Sequence, residues 1–127
     1  MFSTKEEIRT AEAPAAIGPY AQAVRTGGLV FTSGQIPVDP CTGAVAPDVE
    51  GQAVQALENV KNLLAAAGCG MDDVVKTTVF LTDMNDFAAL NAVYARYFRE
   101  PFPARSCVAV TALPKGVRLE VEAVAAP

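Results

Sequence analysis

The sequence predicts an α+β fold: a mixed sheet with two helices on one face, its elements in the order β-β-α-β-α-β-β. Three observations predict it. Apolar residues recur at helical spacing in two separate windows. Several shorter windows are β-branched or alternate apolar with polar residues. Both helical stripes are wide, so each needs a sheet face to cover it. The other sheet face is then left without helices, and it must be polar or meet another subunit.

The elements follow in order. Residues 1–12 are expected as a loosely ordered lead-in to a single domain spanning residues 1–127. The stretch "PYAQAVRTGGLVFTSGQI" gives two apolar runs around Gly27-Gly28, a hairpin signal. "PVDPCTGAVAPD" is rich in turn residues and reads as a loop. From about Asp48, the residues Ala53, Leu57, Val60, Leu64 and Ala67 share a helical face, and Gly68 is a natural stop. "DVVKTTVFLTD" is β-branched and reads as a strand. "MNDFAALNAVYARYFRE" places Phe87, Leu90, Tyr94, Tyr97 and Phe98 on one helical face, with Asp83 or Asn85 as cap. Pro101 and Pro103 forbid further helix. "ARSCVAV" and "VRLEVEAV" are two strands joined by the turn-rich "TALPKG".

Composition narrows the function. The 127 residues suit one domain, 51% of them are apolar and only 19% are charged. A net charge of -4 and a sequence pI near 4.7 argue against nucleic acid as a partner, because phosphate binding needs clustered Lys and Arg. No window is long and apolar enough to span a membrane. The N-terminus "MFSTKEEIRT" is mixed in charge, which is not the pattern of a signal peptide, so a cytoplasmic location is expected. Cys41, Cys69 and Cys107 are odd in number and widely spaced, which argues against a disulfide framework. The chain has no histidine. That excludes Ser-His-Asp and Cys-His nucleophiles and every His-ligated metal site. Proton transfer must fall to Glu, Asp, Tyr, Lys, Cys or water. Neither a phosphate loop nor a GxGxxG motif occurs, so no nucleotide is indicated. The expectation is a protein with no metal and no cofactor.

Strand alternation sorts the last two strands. Arg105, Cys107 and Ala109 share one face, opposite Ser106, Val108 and Val110. Arg118, Glu120 and Glu122 share a face opposite Leu119, Val121 and Ala123. If the fully apolar sets meet the helices, Arg105, Cys107 and Glu120 point to the helix-free side. If the two strands pair as a hairpin, an arginine, a thiol and a carboxylate converge on one surface. Taken singly, each has an ordinary reading: a charged strand face is usually wet, an Arg–Glu cross-strand pair is worth little, and a lone Cys is commonly a small hydrophobe.

Several separated motifs, "APAAIGPYAQAV", "FTSGQIPV", "VKTTVFLTDMNDFAALNAVYARYF", "FPARSC" and "LPKGVRLEVEAVA", together resemble the RidA (YjgF) family of small imine deaminases. The resemblance runs from about Ala13 to Ala125. It implies a chorismate mutase-like homotrimer with a cleft at each subunit interface. It also implies hydrolysis of 2-imino acids, such as 2-iminobutanoate and 2-iminopropanoate, the tautomer of 2-aminoacrylate, to 2-keto acids and ammonia. Such imines are released by pyridoxal-phosphate enzymes, which the activity protects. The family's carboxylate-binding arginine falls on Arg105, its cleft cysteine on Cys107, and its water-activating glutamate on Glu120. Its tyrosine falls on Tyr20, its serine and glycine on Ser33 and Gly34, and its asparagine on Asn91. Phe87 joins the substrate-contacting set. The backbone of Ser33-Gly34 is expected to offer hydrogen-bond donors. An apolar cleft is expected to raise the Glu120 pKa, with Arg105 pulling the other way. The link "FREPFPARSC" is shorter than is usual in the family. A non-catalytic keto-acid-binding module on the same scaffold is the alternative. A ribonuclease reading fits poorly with the acidic pI and the absent histidines.

Overall fold

A computed structural model describes residues 4–127. The first three residues of the expected lead-in lie outside the described residues. Its remainder is not featureless, because Glu6–Ile8 forms a short edge strand, β1. Ile8 is buried there. Gln22 ties down the chain that follows: its amide nitrogen donates to the carbonyls of Thr10, Ala13 and Pro14, and its amide oxygen accepts from the Thr10 N–H. One apolar residue among charges gives no periodic signal, so this strand is invisible to pattern reading.

β2 (Ala23–Thr26) and β3 (Leu29–Thr32) form the expected hairpin. Gly27 and Gly28 both take positive φ, 56° and 79°, as a two-residue turn matched to strand twist requires. α1 (Val49–Ala66) buries Ala53, Leu57, Val60 and Leu64, and Gly68 ends it. The Cys69 N–H reaches Leu64 O and the Gly68 N–H reaches Ala65 O, the paired bonds that close a helix through a left-handed glycine. β4 (Val74–Leu81) follows, then a single 3₁₀ turn capped by the Asp83 carboxylate, and then α2 (Phe87–Tyr97). β5 (Ala104–Ala109) and β6 (Leu119–Ala125) complete the chain.

The six strands form one sheet in the order β1-β2-β3-β6-β4-β5. β4 and β5 are parallel, and the other neighbours are antiparallel. This corrects the β5–β6 hairpin: β4 lies between them. The physical reason is α2. A helix joining two strands carries the chain back to the end where β4 began, so β5 runs parallel beside β4. β6 then enters antiparallel on the other side of β4.

Both helices cover one sheet face. Thr77, Val79 and Leu81 of β4, and Leu119, Val121, Ala123 and Ala125 of β6, point into that layer and are buried. Leu57, Leu63 and Leu64 of α1 are fully buried with them, each worth roughly 2 kcal/mol in apolar area removed from water. The other face carries Phe31 and Val108, exposed at 38% and 44%. Large apolar side chains in the open are what an uncovered protein interface presents.

Candidate active site

Arg105 lies on edge strand β5. Register sets it beside Thr77 and sets Cys107 beside Val79, both of which point into the helix layer. Arg105 and Cys107 therefore face the helices, not the open side. There α2 meets the guanidinium. Phe87, Asn91 and Tyr94 fall at i, i+4 and i+7, one stripe of a helix. Arg105 Nη1 donates to Asn91 Oδ1 at 2.7 Å. Its guanidinium carbon lies 5.5 Å from the Phe87 ring centre and 4.8 Å from that of Tyr94. No ion pair among the described residues includes Arg105. Instead it lines an open pocket of about 310 Å³ with Asn91, Tyr94, Ala95, Phe102 and Pro103. A cation stacked on aromatic faces, with most of its five donors uncommitted, is preorganised for a planar anion. Burial pushes the Cys107 thiol up, and the nearby Arg105 charge only partly offsets this, so the sulfur keeps its proton at neutral pH.

Glu120 stands on the other face. It alternates with buried Leu119 and Val121 and pairs across the ladder with Phe80. Its carboxyl group lies against the backbone of Gly34. A Cβ built on Gly34 would sit 2.6 Å from Glu120 Oε1, so only glycine permits this approach. The contact is fixed by the next residue: the Gln35 N–H donates to Val121 O at 2.7 Å and the Val121 N–H to Gln35 O at 3.1 Å. Burial raises the Glu120 pKa, and the Glu122 charge on the same face raises it further. Within one chain, Arg105 is not among the causes of that shift. Gly34 also lines a small cavity of about 70 Å³ with Ile17, Tyr20, Gln35 and Lys115. Tyr20 is half exposed, and its phenol oxygen accepts the Ile17 N–H at 3.3 Å.

The expected residues therefore form two groups. Phe87, Asn91, Arg105 and Cys107 lie on the helix side near the β5 edge. Tyr20, Ser33, Gly34 and Glu120 gather at the β3–β6 side of the sheet. Within one chain the sheet stands between Arg105 and Glu120, so the single surface expected for Arg105, Cys107 and Glu120 does not exist. Ser33 is also corrected as a backbone donor. Its N–H donates to Gln22 O at 2.8 Å and its hydroxyl to Ala21 O at 2.6 Å. The Gly34 N–H makes no hydrogen bond among the described residues.

Tyr94 and Phe102 were given no role by the sequence reading, yet both border Arg105. The spacing of Tyr94 from Phe87 and Asn91 carried the signal, but its apolar-stripe position assigned it to the core. Among the described residues, no group of three or more His, Cys, Asp or Glu side chains is arranged to hold a metal ion. No helix among them is long and apolar enough to cross a membrane.

The chain matches the family model described as endoribonuclease L-PSP over residues 10–127. It is 61% identical to the 2-iminobutanoate/2-iminopropanoate deaminase of Salmonella typhimurium, over 93% of this chain and 94% of that one. It is 57% identical to the Escherichia coli protein of the same name, with the same coverage. Among solved structures, E. coli TdcF with bound serine superposes with a TM-score of 0.92 at 54% identity, covering 96% of this chain and 98% of the other. The YjgF gene product of E. coli gives a TM-score of 0.91 at 55% identity, covering 95% and 98%.

Proposed function

The chain belongs to the endoribonuclease L-PSP (YjgF/RidA) family, and we infer that it is a 2-iminobutanoate/2-iminopropanoate deaminase. The observation that carries the reading is Arg105: stacked, oriented by Asn91, outside every ion pair among the described residues, and facing a pocket. A guanidinium takes a carboxylate bidentately, and the substrate carries a carboxylate beside its C=N bond. The serine bound to the related TdcF is an amino acid with a carboxylate of the same kind.

The chemistry asks little more of the protein. A protonated imine is already electrophilic at carbon. Glu120, ionised, takes a proton from water as its oxygen bonds to that carbon, giving a carbinolamine. It then returns the proton to nitrogen, takes the hydroxyl proton as the C–N bond breaks and the carbonyl forms, and passes that proton to the departing ammonia, which leaves as ammonium. A carboxyl group with a raised pKa suits both halves of that exchange. Gly34 lets the carboxyl group sit close to the backbone, and its N–H is available to a water or an oxygen. Tyr20 closes the site with its phenol. The protonated Cys107 thiol lies two residues along β5 from Arg105 and does not attack, and no cofactor or metal is called for.

Because the sheet separates Arg105 from Glu120, the site is assembled between copies. We read residues 1–127 as one domain of a cytoplasmic, chorismate mutase-like homotrimer. In it the exposed sheet faces meet, and one copy's Arg105, Asn91, Phe87 and Cys107 face the next copy's Glu120, Gly34, Ser33 and Tyr20. The exposed Phe31 and Val108 support that burial.

The test is to generate 2-iminobutanoate with a threonine dehydratase and follow 2-ketobutanoate release, with wild type and Arg105→Ala side by side. Acceleration by wild type and its loss in the variant are expected. An inactive wild type, or an undiminished variant, sinks the reading. Light scattering should give three times the mass of the chain, and a monomer would leave the site half-built. The alternative, a keto-acid-binding module, predicts binding without turnover. RNA cleavage, which the family's description names, would have to disappear in Arg105→Ala and Glu120→Ala to belong to this site.

A further inference from the structure

Arg105 rests on a pair of side chains that the scheme above does not use. Tyr94 of α2 and Thr77 of β4 are both buried, and their hydroxyls share a hydrogen bond of 2.8 Å. Thr77 is the register partner of Arg105 on the neighbouring strand. The Tyr94 ring that this bond holds lies 4.8 Å from the guanidinium carbon. On the α2 side, Phe98 packs against Tyr94 with ring centres 4.4 Å apart.

Filling this space needs no hydroxyl at either position. A buried hydroxyl is costly unless it is paired, and a Phe over a Val would fill the same space without that demand. What the pair adds is orientation. Thr77 fixes where the far end of the ring points, and a planar ring beneath a planar cation sets the cation's tilt. The Asn91 bond fixes one guanidinium nitrogen and leaves rotation about it free, which the ring face stops. Burial pushes the Tyr94 phenol up, so it stays neutral and brings no competing charge.

We propose that Tyr94 and Thr77 are positioning residues for the deaminase reaction: Thr77 pins the Tyr94 hydroxyl, and the Tyr94 ring holds the Arg105 guanidinium at the tilt that meets the substrate carboxylate. The proposal rests on the reading of Arg105 as the carboxylate anchor.

The experiment measures KM and kcat for 2-iminobutanoate and, separately, Kd for 2-ketobutanoate by calorimetry. The variants are Tyr94→Leu, Tyr94→Phe and Thr77→Val, each in wild-type and Arg105→Ala backgrounds. Tyr94→Leu is expected to raise both KM and Kd about tenfold, with kcat held within about threefold. Tyr94→Phe and Thr77→Val should each raise them about threefold. In the Arg105→Ala background, where turnover is lost and the weaker Kd alone is read, all three should change little, because the group being positioned is gone. Equal losses in both backgrounds mean a structural role only and overturn the proposal. So do unchanged KM and Kd in folded Tyr94→Phe and Thr77→Val, which decide the matter if Tyr94→Leu does not fold. A wild type that neither binds the keto acid nor hydrolyses the imine sinks the Arg105 reading itself. A wild type that does both, with unaffected variants, sinks only the Tyr94–Thr77 proposal.

Discussion

Gly34→Ala isolates the placement of Glu120 from everything else in the site. The added methyl would lie 2.6 Å from Glu120 Oε1, 2.7 Å from Cδ and 3.1 Å from Cγ, where ordinary contact begins at 3.4 Å. The carboxyl group must therefore withdraw by about 0.8 Å. Gly34 is not in the left-handed region, so alanine carries no backbone penalty there. The clash falls on the end of a flexible, half-buried side chain, so the stability cost should stay below about 1 kcal/mol. Catalysis is less forgiving, since a misplacement near 1 Å costs about 100-fold in rate. We expect kcat for 2-iminobutanoate to fall about 30- to 100-fold. KM should hold within about threefold, because the proposed carboxylate anchor, Arg105, is on the other sheet face. The dehydratase-coupled keto-acid assay gives both constants, and thermal unfolding confirms the fold. Adding Gly34→Ala to Glu120→Gln should cost little more, since the displaced group is already disabled. A kcat within twofold of wild type, or fully additive losses in the double variant, would refute the argument.

Arg105→Lys should lower kcat/KM about 100-fold, mostly through KM, because an ammonium cannot copy the guanidinium fork; titration with 2-ketobutanoate checks it. In the proposed scheme Glu120 is the base when ionised, and its pKa is raised, so kcat should climb with pH through an acid limb above 4.5. Glu122→Gln should move that limb toward acid, and a pH–rate profile of both proteins reads the difference. The same shift has a stability consequence. The folded state prefers the protonated form, so the penalty is absent below the unfolded pKa and grows as pH rises through the folded one. Glu120→Gln should therefore melt higher than wild type at pH 7 and not at pH 4. Asp86 accepts from Arg118 Nε at 3.2 Å and Nη2 at 2.7 Å, next to the start of α2. Asp86→Ala should cost about 1–3 kcal/mol in urea unfolding.

Helix and hairpin positions were legible because they depend on local rules. The α1 stripe and its Gly68 stop and the Gly27-Gly28 turn appear where spacing and residue type put them, while Asp83 caps the 3₁₀ turn that leads into α2. Sidedness in β5 was not legible. Ser106, Val108 and Val110 looked like the buried set, yet Val108 is exposed, because the open face of this sheet carries apolar side chains among its polar ones. Alternation separates the two faces of a strand, but it names the inner one only where the other is polar. Which strand neighbours which was also hidden, since the parallel return of β5 depends on α2 packing. Motif resemblance named the candidate site residues individually, and their division across the sheet came only from the register. Arg118 reads in the sequence as one charge of a strand face, yet it pairs with Asp86, which is buried.

In the proposed homotrimer, the sheet between Arg105 and Glu120 has a genetic consequence. A subunit damaged at Arg105 keeps an intact Glu120 edge, and one damaged at Glu120 keeps an intact Arg105 edge. In a closed ring, any mixed assembly of the two places one sound edge against the other once, restoring a single whole site. Two inactive alleles expressed together would thus regain about a quarter of the normal sites under random mixing, while either alone has none. Dilution acts in the opposite direction: each site of the proposed trimer would exist only while two copies stay in contact, so the turnover of a fixed quantity of chain should depend on how concentrated it is.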